Sequence, residues 1–173
     1  MSTTEPDGRA ALEGFVGTWR RVVTDPLGFF ADMPESGGLA APTIFLALCS
    51  AANAAGHLLV GRGLTSGVAV FVGQVVSAYV AAALLVLVAQ HLFGGRAGFE
   101  PTLRVVAYAA APGILLWVPF VGAFAWAYGA YLVVRGLERV QALDTTRAVL
   151  TVLVTFGVLL LVATSRRGGA PVF

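Results

Sequence analysis

Residues Val68–Phe93 form an apolar run of about 26 residues, and this run constrains the fold more than any other feature. A helix crosses the hydrocarbon core of a bilayer with roughly 20 residues, in a range of about 17–25. A soluble core has little use for a run this long. Four further apolar runs share the chain: Pro42–Val60, Thr102–Val118, Phe120–Val134 and Ala148–Ala163. The expected fold is therefore all-α, a polytopic integral membrane bundle of about five transmembrane helices. Composition agrees. Only 12% of the residues are charged and 58% are hydrophobic, with a mean hydropathy of +0.85, whereas a soluble domain carries about 25% charged residues.

The five runs are unequal. Val68–Phe93 must tilt or extend beyond the core. Thr102–Val118, Phe120–Val134 and Ala148–Ala163 are short, and Pro119 alone separates the first two. Pro112-Gly113 predicts a kink in the third. The third and fourth runs can instead form a re-entrant hairpin, which needs protein around its irregular backbone. Either arrangement leaves the overall topology unchanged.

Ahead of the runs lie two segments. Residues 1–9 read as disordered. Residues 1–10 carry Glu5 and Asp7 without a following apolar stretch, so they do not read as a secretory signal. Residues 10–41 read as a cytoplasmic amphipathic segment. Within it Leu12, Phe15, Val16, Trp19, Val22 and Val23 share one helical face, opposite Glu13, Thr18, Arg20 and Arg21. Such a helix lies in the membrane interface or packs on the bundle's own cytoplasmic end, and the sequence does not choose. Asp25 is placed to cap a short helix that has Pro26 at its first position. Pro34 and Gly37-Gly38 end it, and Phe29 and Phe30 fall at headgroup depth. Residues 166–173 form a short tail.

Arginine placement gives an orientation. With the N-terminus in the cytoplasm, the inner regions hold Arg9, Arg20, Arg21, Arg96, Arg104, Arg135, Arg139 and Arg147, and the outer ones Arg62, Arg166 and Arg167. The positive-inside rule then predicts a multi-pass protein of the cell membrane with its C-terminus outside. All eleven basic residues are arginine, and the net charge is +2. No basic cluster with interleaved aromatics suggests nucleic acid. Cys49 is the single cysteine, which removes an internal disulfide and a cysteine metal site. The chain lacks G-x-S-x-G, H-E-x-x-H and P-loop motifs, and the predicted spans hold no Asp or Glu. The expectation is a non-enzyme without catalytic residues, metal or cofactor.

Polar residues inside spans are candidate sites. Asn53 and His57 are four apart on one face of the first span, and Cys49 extends that stripe. Gln74 and Ser77 are three apart on the second. Interhelical hydrogen bonding is the plainer role, worth on average about 0.6 kcal/mol. Beyond the fourth span, Arg135, Glu138 and Arg139 form a charged patch, with Glu138 three residues from Arg135. This patch, with Trp19, Arg20, Arg21, Asp25, Pro26, Phe29 and Phe30, is the candidate partner surface. A solvated turn is the plainer role for the patch. Trp126 falls mid-span and is expected to pack inside.

Three stretches carry a family resemblance. Asp25-Pro26 with Phe29-Phe30, Met33-Pro34, Gly37-Gly38 and Pro42 is similar to a lead-in before a first span. Arg104-Val105-Val106-Ala107-Tyr108 with Pro112 and Pro119 is similar to a third span, and Tyr131 to Glu138 through Gly136 to a fourth-span exit. In this order and spacing, over residues 20–165, the chain resembles the Yip family of membrane proteins, named for interaction with Ypt/Rab GTPases. The resemblance implies five spans, a cytoplasmic N-terminus and a far-side C-terminus. It also implies work with membrane partners: in eukaryotes such proteins act in vesicle trafficking with Rab GTPases and with each other. The short N-terminal region and the arginine-only composition mark a prokaryotic-type member. The resulting expectation is a membrane scaffold or adaptor contacting the lipid bilayer and other membrane proteins or its own copies. The alternative is a transporter or channel for a small solute or lipid, acting as an oligomer with Asn53, His57, Gln74 and Ser77 along its pathway.

Overall fold

The computed structural model describes residues 8–168. Residues 1–7 of the stretch expected to be disordered lie outside them, as do residues 169–173 of the tail, while Gly8 and Arg9 open the first helix. The described residues form helices joined by short turns, with no strand among them. They run α1 (Gly8–Thr24), α2 (Pro26–Asp32), α3 (Ala40–Leu59), α4 (Leu64–Phe93), α5 (Phe99–Ala109), a 3₁₀ turn (Ala111–Leu115), α6 (Val121–Gln141) and α7 (Thr145–Gly168).

Local chemistry sets these boundaries. Asp25 Oδ1 accepts from Gly28 N–H at 3.1 Å and Pro26 follows it, so α2 starts with an N-cap and a residue that needs no donor. At the far end of α4, Gly94 takes a left-handed φ of 73°, and Gly95 N–H returns to the Ala89 carbonyl at 2.8 Å. The left-handed glycine ends the helix without a Cβ penalty, and the Ala89 carbonyl takes the returning N–H groups. Pro112 lacks an N–H, its ring would strike the carbonyl four residues back, and it disfavours helical geometry at Ala111. Helix α5 accordingly stops at Ala109, and the backbone tightens into the 3₁₀ turn.

Three helices among the described residues are long and apolar enough to cross a membrane: Ala40–Leu59, Leu64–Phe93 and Thr145–Val162. The third expected run, Thr102–Val118, is not one helix. Its α5 has 11 residues, about 16 Å at 1.5 Å per residue, roughly half the hydrocarbon thickness. Helix α6 has 21 residues, but its last third carries Arg135, Glu138 and Arg139. The broken α5 and α6 make a helical hairpin joined through Trp117–Phe120. Phe120 sits at this tip with a φ of 63° and 87% exposure.

Glycines close the hairpin. A Cβ at Gly136 would lie 2.3 Å from Val105 Cγ1, and one at Gly129 would lie 3.3 Å from the Ala109 carbonyl oxygen. Seven residues apart, they let α6 lie directly on α5. Gly56 does the same for the tip, since its missing side chain leaves room for the Trp117 ring.

Helix α1 is docked on the bundle. Its Trp19 indole N–H donates to the Ala111 carbonyl at 2.8 Å, and Tyr128 O–H donates to the Val23 carbonyl at 2.8 Å. Val22 is fully buried, and the Phe15 and Phe45 rings are 5.3 Å apart. Only part of the amphipathic face turns outward: Leu12 and Val16 stay exposed.

Candidate functional site

Two places bring the expected residues together: a polar contact inside the bundle and the charged end.

Inside the bundle, Asn53 on α3 is 3% exposed, and its Nδ2 donates to Gln74 Oε1 on α4 at 3.0 Å. Asn53 Oδ1 has no hydrogen-bond partner among the described residues. Ser77 Oγ donates back to the Gln74 carbonyl at 3.0 Å. Gln74 Nε2 lies against Gly113, where a Cβ would come within 2.8 Å of it. The helix break and the intramembrane amides therefore meet. His57 does not join them. Its Nδ1 lies 3.3 Å from Arg62 Nη1 at the turn between α3 and α4. Three of the four polar candidates thus share one locus and the fourth sits at the bundle's rim.

At the opposite end, side chains clamp backbone. Arg104, only 4% exposed, donates to the Gly38 carbonyl at 2.6 Å, while Glu100 Oε1 accepts from Gly38 N–H at 2.8 Å. Both hydrogen-bonding groups of one glycine are held by an ion pair on α5. Gln141, fully buried at the end of α6, treats Ala97 the same way. Its Oε1 accepts from Ala97 N–H at 2.9 Å and its Nε2 donates to the Ala97 carbonyl at 3.2 Å. Thr102 Oγ1 takes a further hydrogen bond from Gln141 at 3.0 Å. These side chains satisfy both backbone groups of Gly38 and of Ala97. Sequence reasoning missed Gln141, Thr102 and Glu100. The spacing of Glu100 and Arg104, four apart at the start of a helix, was the one available signal.

The expected partner surface divides. Trp19, Phe29 and Phe30 turn inward. Phe30 is 2% exposed, and the Phe29 and Phe45 rings stand 5.0 and 5.1 Å from Tyr108. They build an aromatic seam joining α1, α2, α3 and α5, because the Asp25 cap aims α2 across the end of the bundle. Pro26 is half-buried within the same turn, and Pro119 is exposed at the hairpin tip. Facing outward are Arg20, Arg21 and Asp25, with Arg21 paired to Asp32. Arg135 donates to Glu138 Oε2 at 2.9 Å and Arg139 to Glu35 Oε1 at 3.2 Å. The Glu138 hydrogen bond, with a second to Tyr131, raises the Arg135 guanidinium above its usual range. Leu27, Phe30 and Ala31 of α2 and Arg135, Glu138 and Arg139 of α6 line a groove between them of about 290 Å³.

The lead-in, the broken third run and the Gly136 exit all lie within one stretch that a protein-family profile recognises. The Yip1 domain profile matches residues 20–165. The chain belongs to the Yip family. It is a membrane protein of that family, and the Yip domain takes in every helix from the end of α1 to nearly the end of α7. Tyr108, Pro112, Pro119 and Gly136 all fall inside the domain. They form the aromatic seam, the helix break, the hairpin tip and the α5–α6 contact, respectively. Neither the curated proteins nor the solved structures give a match.

Proposed function

We propose that this Yip-family protein is a non-enzymatic scaffold of the cell membrane, presenting a fixed surface at its charged, cytoplasmic end to other membrane proteins. In this reading it spans five times, α5 with the 3₁₀ turn and α6 counting as the third and fourth passes. Its N-terminus is inside and its C-terminus outside.

One observation carries the reading. The lead-in is tied to the bundle at four separate points: Trp19 to Ala111, Val23 to Tyr128, Glu35 to Arg139, and Gly38 to Glu100 with Arg104. A tail that acts as a flexible tether has no use for such fixation. A docking surface does, since ordering it beforehand lowers the cost of binding. Exposed Leu27, on one groove with Arg135, Glu138 and Arg139, supplies an apolar anchor with a charged rim. The segment 1–41 carries three arginines and six acids. Attraction to anionic lipid therefore does not account for this surface.

The transporter alternative draws less support. It requires Asn53, His57, Gln74 and Ser77 along one pathway, and His57 is engaged with Arg62 at the rim.

Capture of the tagged chain from native membranes in mild detergent tests the proposal. A stoichiometric protein partner should co-purify, and Leu27→Glu or the double variant Arg135→Glu/Arg139→Glu should release it without lowering the melting temperature of the bundle. Recovery of the chain alone, or with lipid only, overturns the scaffold reading.

A further inference from the structure

The helix break leaves a space that the scaffold reading does not use. A cavity of about 250 Å³ lies between α4, the 3₁₀ turn, α6 and α7. Pro112, which ends α5, is part of its lining, and Ala81, Ala110, Gly113, Gly129 and Ala130 keep the walls thin. No charged residue lines it. Its rim carries Trp126 and Phe156, whose rings are 5.2 Å apart and which are 55% and 37% exposed. The mouth therefore opens on the outside of the bundle, where Trp126 and Phe156 stand. In a membrane that outside is hydrocarbon.

Size and polarity narrow the occupant. The volume falls below the about 300–1,000 Å³ of pockets for drug-sized ligands and far exceeds the about 30 Å³ of one water. An apolar cavity does not hold water, and an empty one loses dispersion contact on every wall. In a membrane, the apolar group that abounds at such a mouth is an acyl chain. The lining also holds one unspent donor. Gln74 Oε1 is taken by Asn53, and Ser77 is taken by the Gln74 carbonyl, but Gln74 Nε2 has no acceptor among the described residues. An amide donor in hydrocarbon needs one.

We infer that the cavity is a lipid site, taking one acyl chain of a membrane glycerolipid whose ester carbonyl accepts from Gln74 Nε2. Asn53 is then a positioning residue. By holding the Gln74 oxygen, it turns the nitrogen toward the chain.

Photolabelling the full chain tests this, using proteoliposomes that contain phosphatidylcholine with a mid-chain diazirine. Label should concentrate on residues 74–81 and 125–133, about tenfold over the exposed α4 face at Val68 and Val72. Ala130→Phe, or Ala81→Phe from the opposite wall, should abolish that excess while Val72 labelling persists. Gln74→Met should reduce it about threefold, the effect of one average intramembrane hydrogen bond. Mass spectrometry of the purified protein should find about one glycerolipid retained per chain, lost in the same variants. Uniform labelling around the bundle, an isoprenoid in place of the glycerolipid, or excess labelling that survives both cavity-filling variants overturns the inference. Circular dichroism melting of each variant separates loss of the site from loss of the fold.

Discussion

The α3–α4 hairpin and the α5–α6 hairpin solve the same problem by different means. Helices α3 and α4 are continuous, are joined by a polar turn at Gly61-Arg62-Gly63, and meet the length a bilayer demands. The α5–α6 hairpin is interrupted at Pro112, turns through apolar Trp117–Phe120, and depends on close approach: Gly136 on Val105, Gly129 on Ala109, and Trp117 on Gly56. The first hairpin is specified by hydropathy. The second is specified by tertiary contact, because its broken backbone needs protein beside it.

Substitution at the glycine seam should expose this difference most sharply. Gly136→Leu drives a side chain into Val105 and should cost about 3 kcal/mol or more, read as a lowered melting temperature in detergent. Gly73→Leu on α4 of the first hairpin, where nothing lies within 4 Å, should leave that temperature unchanged. Equal effects at the two positions would remove the distinction between the hairpins. Trp19→Phe keeps the ring but strands the Ala111 carbonyl. It should cost about 1–2 kcal/mol and raise hydrogen exchange at residues 110–116, leaving α3 and α4 protected. Protection lost evenly across both hairpins would refute a local role. Inside the first hairpin, Asn53→Leu should shift stability by only about 0.6 kcal/mol, since it discards an unsatisfied oxygen along with a hydrogen bond. Smallest of all, Glu35→Ala breaks an exposed pair and should change stability by less than about 0.5 kcal/mol.

What the sequence made legible follows the same division. Hydropathy placed α3, α4 and α7, and Asp25-Pro26 and Pro112-Gly113 announced a cap and a break by local chemistry alone. The clamps were illegible because their partners are remote. Arg104 meets Gly38 across 66 residues and Gln141 meets Ala97 across 44, and no periodicity encodes a partner. A subtler failure concerns which solvent covers an apolar face. Trp126, expected to pack inside, is 55% exposed, whereas Trp19 and Phe30, expected at a surface, are interior contacts. Lipid tails are as apolar as leucine, so hydropathy alone cannot tell a face that meets protein from one that meets the bilayer.

The Trp19 contact also bears on the order of assembly. The partners of α1 lie 92 residues downstream at Ala111 and 105 residues downstream of Val23 at Tyr128. Synthesis proceeds at about 5–20 residues per second, so roughly 5–20 s separate the emergence of α1 from that of its binding groove. The first helix made is among the last that can settle, and its seating reports that the broken hairpin has been completed.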